Sequence, residues 1–385
     1  MKKILFICPR NPFSERYSGD VIRAKKFIYS LSRNNYVKVI SSDFKDSQKK
    51  ESKLSYEGFK EINLFSKIFY IFFSFIKLRP IQLGYFFSPK IKEYVQNNFQ
   101  DYDLIFFQSF RTAQYMPEGN DKTCILDMGD LMSKNYKQTS VRYFFFNPIR
   151  AIYYIESLLV KKYESFCFKK FNKILLLSKR EIDSVEKKFK GKLAQFSFGV
   201  TNINKKYSFH QKNFKIIFIG NIKYAPNKKA CYEFANKILP LINEIYPNIE
   251  FHIIGEISKI DKFLLKKKTN VKILGKIKNL DPYLDKTICG MANLKIATGI
   301  QTKLLTYMSY GIPSVCSQEV IKNFDAIKES KISFYRNNEE MIKIILKYKR
   351  NKNFSLNASK RALKTIKKFK WEKVLPVLEK VLNKY

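Results

Sequence analysis

Histidine is nearly absent from this chain: His210 and His252 are the whole supply. Chemistries that lean on imidazole, such as a His-centred metal site or a Ser/His/Asp hydrolase, are therefore poorly supported. Cysteine is sparse and scattered. The residues at 8, 124, 167, 231, 289 and 316 form no CxxC pair, so neither a zinc site nor a redox motif is indicated. Without a disulfide framework the expected compartment is the reducing cytosol. Long apolar runs are missing too. The longest aromatic-apolar stretch, Ile68 to Ile76, falls well short of the roughly 20 residues that cross a bilayer. The opening MKKILFICPRNPFS is expected not to be a signal peptide. Its apolar run, Ile4 to Cys8, is short and leads into Pro9 and Arg10. Arginine is scarce: of 73 basic residues, 12 are Arg and 61 are Lys.

What remains is a Lys-, Ile-, Asn-, Phe- and Tyr-rich chain of 385 residues with a net charge of +40. Those five residues share AT-rich codons, so genome bias accounts for much of the charge. Solvated Lys on helix faces is one reading. A basic surface for phosphates, anionic lipid headgroups or nucleic acid is the other. No RRM-like signature, zinc finger or Arg-rich tract accompanies the charge, so nucleic acid is not an expected partner. The length suits two domains of about 150 residues each. The 45% hydrophobic content allows a packed core in each.

Short apolar runs alternate with amphipathic stretches. KILFIC (3–8), YVKVIS (36–41), DLIFFQ (103–108), CILDM (124–128) and KILLLS (173–178) read as buried strands. KIIFIG (215–220), EFHIIG (250–255), VKILG (271–275) and PSVCS (313–317) repeat the rhythm. Strands alternating with helices predict parallel sheets covered on both faces. The rhythm restarts near Phe214, after a weakly periodic stretch from Gly199 to Asn213. Ligands in such sheets sit beyond the carboxyl ends of the strands, so two facing halves would place a substrate cleft between them.

The stretch ANLKIATGIQTKLLTYMSYGIPSVCS, 292–317, is the most informative. A strand-like run ends near Ala297. Thr298, Gly299, Ile300, Gln301, Thr302 and Lys303 then lead into a helix, followed by Gly311-Ile312-Pro313 and a new strand. Gly299 permits positive φ and close backbone approach. The free amides and dipole of the following helix favour an anion. Lys303 in the first turn is unfavourable for the helix alone, and a bound diphosphate would remove that penalty. An ordinary βα turn with a surface Lys is the alternative.

Four short segments together resemble glycosyltransferase family 4, also called group 1. They are closest to a sugar-transferase branch associated with exopolysaccharide systems. GIQTKLLTYMSYGIPSV resembles the branch pattern GIQNKVLEAM…G.PVV. Phe218, Gly220, Tyr224, Pro226 and Asn227 resemble F-x-G-x-x-x-Y-x-P-N. Asp127, Asp130 and Ser133 resemble D-x-x-D-x-x-S, and Leu78 to Leu83 resembles G-R-P-L-S-L. The resemblance spans nearly the whole chain. It implies an α/β GT-B fold, two Rossmann-like domains facing a central cleft. Residues 1–200 would take the acceptor and 201–360 the nucleotide sugar, with 361–385 a helix returning to the first domain.

The resemblance further implies a retaining, metal-independent transferase without a cofactor, since the nucleotide sugar is a substrate. Gly299, Ile300, Gln301, Thr302 and Lys303 would hold the diphosphate, and Gly19 would close over the phosphates from the first domain. Gly220 and Asn221 lie in the loop after the Phe218 strand, where Asn221 is placed to hydrogen-bond a phosphate or sugar. Lys228 either neutralises charge there or is a solvated surface Lys. Asp127 and Asp130 are the candidate catalytic carboxylates for the acceptor hydroxyl; the alternative is that Asp130 or Ser133 caps a helix. The family's usual Glu-x7-Glu pair falls on Thr298 and Thr306. Thr306 would sit near the ribose but cannot make a bidentate contact, a loss worth about 1.5–3 kcal/mol.

The expected partners are a nucleotide-diphosphate sugar and a glycan or lipid-linked acceptor, in surface polysaccharide or glycoconjugate assembly. A non-catalytic relative that binds nucleotide or glycan as a scaffold is the rival reading. Ile68 to Ile76, flanked by Lys67, Lys77 and Arg79, either dips into an anionic membrane interface or is a buried helix. Tyr143 to Phe146 carries the same ambiguity. The expected location is the cytoplasm, peripheral at the inner face of the membrane.

Overall fold

The computed structural model describes residues 1–14, 18–141, 147–297, 301–322, 331–382 and 384. They form two compact units. The first is Met1–Ser197 with Val374–Tyr385, and the second is Phe198–Lys373. The chain passes from the second unit into the first inside the helix Trp371–Leu382, which contains Pro376.

The first unit is built on eight strands: β1 (Lys3–Cys8), β2 (Tyr36–Asp43), β3 (Ser47–Lys50), β4 (Leu54–Lys60), β5 (Leu104–Gln108), β6 (Thr123–Gly129), β7 (Lys173–Leu176) and β8 (Leu193–Gln195). They lie in the order β3-β4-β2-β1-β5-β6-β7-β8. All neighbours are parallel except β3, which pairs antiparallel with β4 at one edge. The central strands β1 and β5 are buried almost throughout, as continuous apolar runs between two helical layers must be. The helices are α1 (Gly19–Leu31), α2 (Leu64–Ile76), α3 (Ile81–Tyr85), α4 (Pro89–Asn98), α5 (Met132–Ser140), α6 (Pro148–Lys170) and α7 (Lys179–Asp183).

The second unit has six strands: β9 (Lys215–Ile219), β10 (Glu250–Ile254), β11 (Val271–Gly275), β12 (Thr287–Ala292), β13 (Ser314–Ser317) and β14 (Ser333–Tyr335). Their order is β11-β10-β9-β12-β13-β14, parallel throughout. Counted within the unit, this is the 3-2-1-4-5-6 order of a doubly wound Rossmann sheet. Setting β3 aside, the first sheet follows the same winding with one more strand. The helices that bear on the second site are α8 (Ala225–Glu233), α9 (Leu239–Ile245), α10 (Lys259–Lys266) and α11 (Thr302–Ser309).

This order creates one crevice per sheet, where the winding reverses. It falls between β1 and β5 in the first unit and between β9 and β12 in the second. Several elements depart from expectation, and one of them adjoins the site. The strand before the 299–311 segment is Thr287–Ala292, not a run ending near Ala297. Gly290 weakens the strand signal of TICGMA in the sequence.

Candidate functional site

In the second unit β9 ends at Ile219, and Gly220 and Asn221 follow at its carboxyl end. The amide of Gly220 donates to Ile254 O at 2.9 Å, which ties the loop to β10. Asn221 Oδ1 accepts from the Lys223 amide at 2.9 Å and folds the loop back toward α8. Pro226 then occupies the first turn of α8, where its missing N–H costs nothing. Asn227, one residue on, is turned inward and buried.

Lys303 arrives from the opposite side of the crevice. It stands in the first turn of α11, yet it is only 7% exposed. Its Nζ donates to Asn227 Oδ1 at 2.7 Å and lies 3.9 Å from the centre of the Phe218 ring. Asn227 Nδ2 donates in turn to Asn221 O at 2.8 Å. One amide thus links the β9 loop to the lysine, and both of its ends are used. Among the described residues no carboxylate pairs with Lys303. Burial therefore pushes its ammonium down to about 7, and the nearby Cys231 thiol opposes this only weakly.

Tyr307, one turn further along α11, fixes the helix to the sheet. Its hydroxyl accepts from the Ile219 amide at 2.9 Å and donates to Met291 O at 3.0 Å. Those residues belong to β9 and β12, the two strands that bound the crevice. The ring lies against Gly290, where a Cβ would fall 2.5 Å from the ring carbon Cγ. Gly290 is thus the clearance that lets Tyr307 reach both strands. Neither Tyr307 nor Asn227 was among the expected site residues, although both lie inside quoted motifs.

Of the other expected donor residues, Thr298, Gly299 and Ile300 lie outside the described residues. Gln301 precedes α11 in extended conformation, and Thr302 begins the helix exposed to solvent. The first-turn amides of such a helix have no intrahelical acceptor. Thr306 Oγ1 donates to Thr302 O at 3.1 Å, back along its own helix. Lys228 is held elsewhere. Its Nζ pairs with Asp261 Oδ2 at 2.8 Å, and Asp261 also accepts from Ser258 and Tyr232. Burial works against the charge of Asp261, but these donors outweigh it and keep the carboxyl low.

In the first unit Gly19 opens α1, next to the carboxyl end of β5. Gln108 Nε2 donates to Asp20 O at 2.9 Å and joins that helix start to the crevice. Asp127, expected as a catalytic carboxylate, has both oxygens taken by Arg23, from Nε and Nη2 at 2.7 Å each. Arg23 Nη1 donates to Phe196 O, and the guanidinium is stacked on the Phe27 and Phe196 rings. An aspartate with both oxygens so engaged is a structural anchor.

Asp130 differs. Its Oδ1 is buried and has no partner among the described residues. Burial and the Asp127 charge push its carboxyl up, with Arg23 pulling the other way. Glu181 is raised as well, by burial and by Asp130. The capping alternative resolves differently from expectation. Leu131 is the residue before α5, and its amide donates to Glu181 Oε1 at 2.8 Å. Ser133 donates through its amide and its hydroxyl to Glu164. Two carboxylates from α6 and α7 thus serve the start of α5, and Asp130 is left uncommitted.

Residues 213–348 match the family model described as glycosyl transferases group 1. That segment holds the whole second sheet and the Gly220, Asn227 and Lys303 cluster, and the match supports the group 1 family. Solved structures agree on architecture. HepE from Anabaena is similar over 100% of both chains, with a TM-score of 0.67 at 11% identity. Trehalose 6-phosphate synthase from Burkholderia multivorans has a TM-score of 0.69 at 8% identity, over 100% of this chain and 99% of that one. TarM gives 0.56 at 17% identity and covers 76% of this chain. The chain spans 57% of the length of TarM. At such identities the likeness establishes the fold: α/β with two Rossmann-like sheets, as in GT-B glycosyltransferases. No curated protein matches the chain in sequence.

Proposed function

We propose that this chain transfers a sugar from a nucleotide-diphosphate sugar to a glycan or lipid-linked acceptor. The observation that carries this reading is Lys303. It is a buried ammonium at the switch point of a Rossmann sheet, with Asn227 as its hydrogen-bond acceptor and no carboxylate beside it among the described residues. Such a cation is short of negative charge, and a diphosphate supplies it. The Gln301–Lys303 turn and the start of α11 add backbone donors. The match of residues 213–348 to the group 1 model and the fold support the same reading. So does what neighbours were solved with: UDP and glucose in HepE, and UDP with a GlcNAc-glycerol in an S. aureus TarM mutant.

In this reading Gly220 and Asn221 border the transferred sugar, and Lys303 stabilises the leaving diphosphate without a metal ion or cofactor. Asp130, rather than Asp127, orients the acceptor hydroxyl through its uncommitted oxygen. Configuration is retained, with the departing phosphate on the face of attack. The setting is surface polysaccharide or glycoconjugate assembly at the cytoplasmic side of a membrane. A non-catalytic scaffold is the second reading, favoured by one observation: Thr306 bonds to its own helix and offers a ribose no carboxylate.

A panel of nucleoside diphosphates and their sugars, read by thermal shift and by donor turnover, tests the proposal. One nucleotide should raise the melting temperature, since a ligand held only by the folded state stabilises it. Its sugar conjugate should turn over, and Lys303→Ala should lower kcat/KM by about a hundredfold or more, the usual loss of one charge-stabilising donor. Binding without turnover would favour the scaffold. No shift with any nucleotide would sink both readings.

A further inference from the structure

The helix α2 has its polarity inside out. An amphipathic helix on a soluble domain turns its apolar stripe inward. Here the partly covered positions are Ser66, Lys67, Tyr70, Ile71 and Ser74, spaced as one helical face. The opposite face carries Phe65, Ile68, Phe69, Phe72 and Ile76, and all of them are exposed. Phe65 is 84% exposed, and no residue of this helix is buried. The sequence left open whether this run is a buried helix, and the structure excludes that.

The helix is nonetheless firmly placed. Gly84 of α3 lies so close that a Cβ there would collide with the Tyr70 carbonyl. The Tyr70 ring packs tilted against Phe87, with ring centroids 4.6 Å apart. The start of α3 is held in turn by Glu156 of α6, whose carboxylate accepts from the Ile81 amide at 2.8 Å and from the Gln82 amide at 3.3 Å. The first half of α6 exposes its own apolar residues, Ile152, Ile155 and Leu158. Through α3, two helices with bare apolar surface are therefore fixed to one another. Exposed apolar faces of this extent mark an interaction site.

Charge selects the occupant. Between Ile62 and Lys92 there are five basic residues, Lys67, Lys77, Arg79, Lys90 and Lys92, and no Asp or Glu. Lys77 lies over the Phe73 ring, with its ammonium 4.2 Å from the ring centre, at the margin of the apolar face. Aromatic side chains bordered by Lys and Arg suit the boundary between acyl chains and anionic headgroups. Lys67 and Lys90 pair with Glu61 and Asp46, but Lys77, Arg79 and Lys92 form no ion pair among the described residues, and in a second copy of this chain these three cations would meet themselves. A helix of 13 residues is about 20 Å long. Among the described residues no helix is long and apolar enough to cross a membrane.

We propose that α2, supported by the first half of α6, lies in the interface of a bilayer rich in anionic phospholipid and seats the first unit on it. The inference rests on this surface alone, so its failure would leave the transferase reading intact. Co-sedimentation of the full chain with vesicles provides the test. Mixed phosphatidylglycerol and phosphatidylcholine should bind about tenfold more than phosphatidylcholine alone, given the cluster of cations. Phe69→Asp with Phe72→Asp should lower binding on the order of a hundredfold, because two aromatic side chains no longer leave water. Lys77→Glu with Arg79→Glu should abolish the preference for the anionic lipid. All four side chains are exposed, so far-UV circular dichroism and thermal unfolding should not change. If the Asp pair does not fold, Phe65→Ser with Ile76→Ser at the helix ends replaces it. Wild-type binding by these variants would overturn the proposal. So would a dimer in sedimentation equilibrium that the Asp pair dissolves while the wild type ignores vesicles.

Discussion

The two sheets share a winding order but treat buried charge in opposite ways. Beside the first crevice, Arg23 of α1 meets Asp127 of β6 in a bidentate pair at 2.7 Å, closed off by two aromatic rings. Beside the second, Lys303 of α11 has a neutral amide and one aromatic face. The first arrangement completes itself, and each ion answers the desolvation of the other. The second is incomplete: its cation is desolvated and, among the described residues, uncompensated by any carboxylate. A fold does not gain stability from such a group, so its presence calls for a ligand that supplies the missing charge. The comparison therefore supports the proposal of an anion site in the second unit, and it sets a self-contained ion pair beside it in the first.

The largest expected effect is on that pair. Arg23→Ala leaves a buried carboxylate alone and should cost about 3–5 kcal/mol in urea unfolding. Asp127→Ala should cost a similar amount, and the double variant clearly less than the sum of the two. Lys303→Met is the counterpart. It removes a desolvated charge and keeps the volume, so ligand-free stability should hold or rise. A loss as large as that of Arg23→Ala would erase the distinction between the two sites. The same would follow if Arg23→Ala cost under about 1 kcal/mol, the range of an exposed pair.

The restoring substitution Thr306→Glu addresses the nucleoside end and ranks next. Thr306 lies one turn beyond Thr302 and bonds back to it. A carboxylate there would gain a charge-assisted contact to ribose worth about 1.5–3 kcal/mol. Nucleoside diphosphate affinity measured by calorimetry should therefore rise roughly tenfold or more. No gain would mean that the ribose lies elsewhere in this chain, and it would weaken the carry-over from the family pattern without touching the diphosphate site.

Much of the architecture was legible because buried parallel strands leave continuous apolar runs. KILFIC is β1 residue for residue, and VKILG is β11. What failed was local signal overridden by packing. Thr287–Ala292 reads as a weak strand because of Gly290, yet Gly290 is the space that Tyr307 needs. The polar edge strands Ser47–Lys50 and Leu193–Gln195 were missed for want of an apolar pattern. At the site, Lys303 and Asn227 sat in separate motifs 76 positions apart, and Arg23 lies 104 from Asp127. Spacing along a chain says nothing about such pairs, since only the winding of the sheet brings them together. The outward apolar face of α2 was illegible for the converse reason: composition marks a helix as apolar without saying which side faces water.

The smallest effect is the most direct test of the incomplete site, and it is read against pH. The Lys303 ammonium is pushed down to about 7 by burial, whereas an unfolded lysine keeps its ordinary value of 10.5. Below about 7 both states carry the proton, and the cost of burying the charge is felt in full. Between about 7 and 10 the folded state has released the proton and the unfolded state retains it. Stability must then rise with pH, because the unfolded chain binds more protons. The slope is at most about 1.4 kcal/mol per pH unit for one proton, so about 1 kcal/mol is expected from pH 7 to pH 8. The readout is the difference between the wild type and Lys303→Met, which cancels every other titrating group. A bound nucleoside diphosphate should hold the ammonium charged and flatten that difference, while its affinity falls as pH rises above about 7. Parallel curves for the two proteins without ligand would mean that Lys303 keeps its charge with compensation from the chain itself, and the contrast with Arg23 would then disappear.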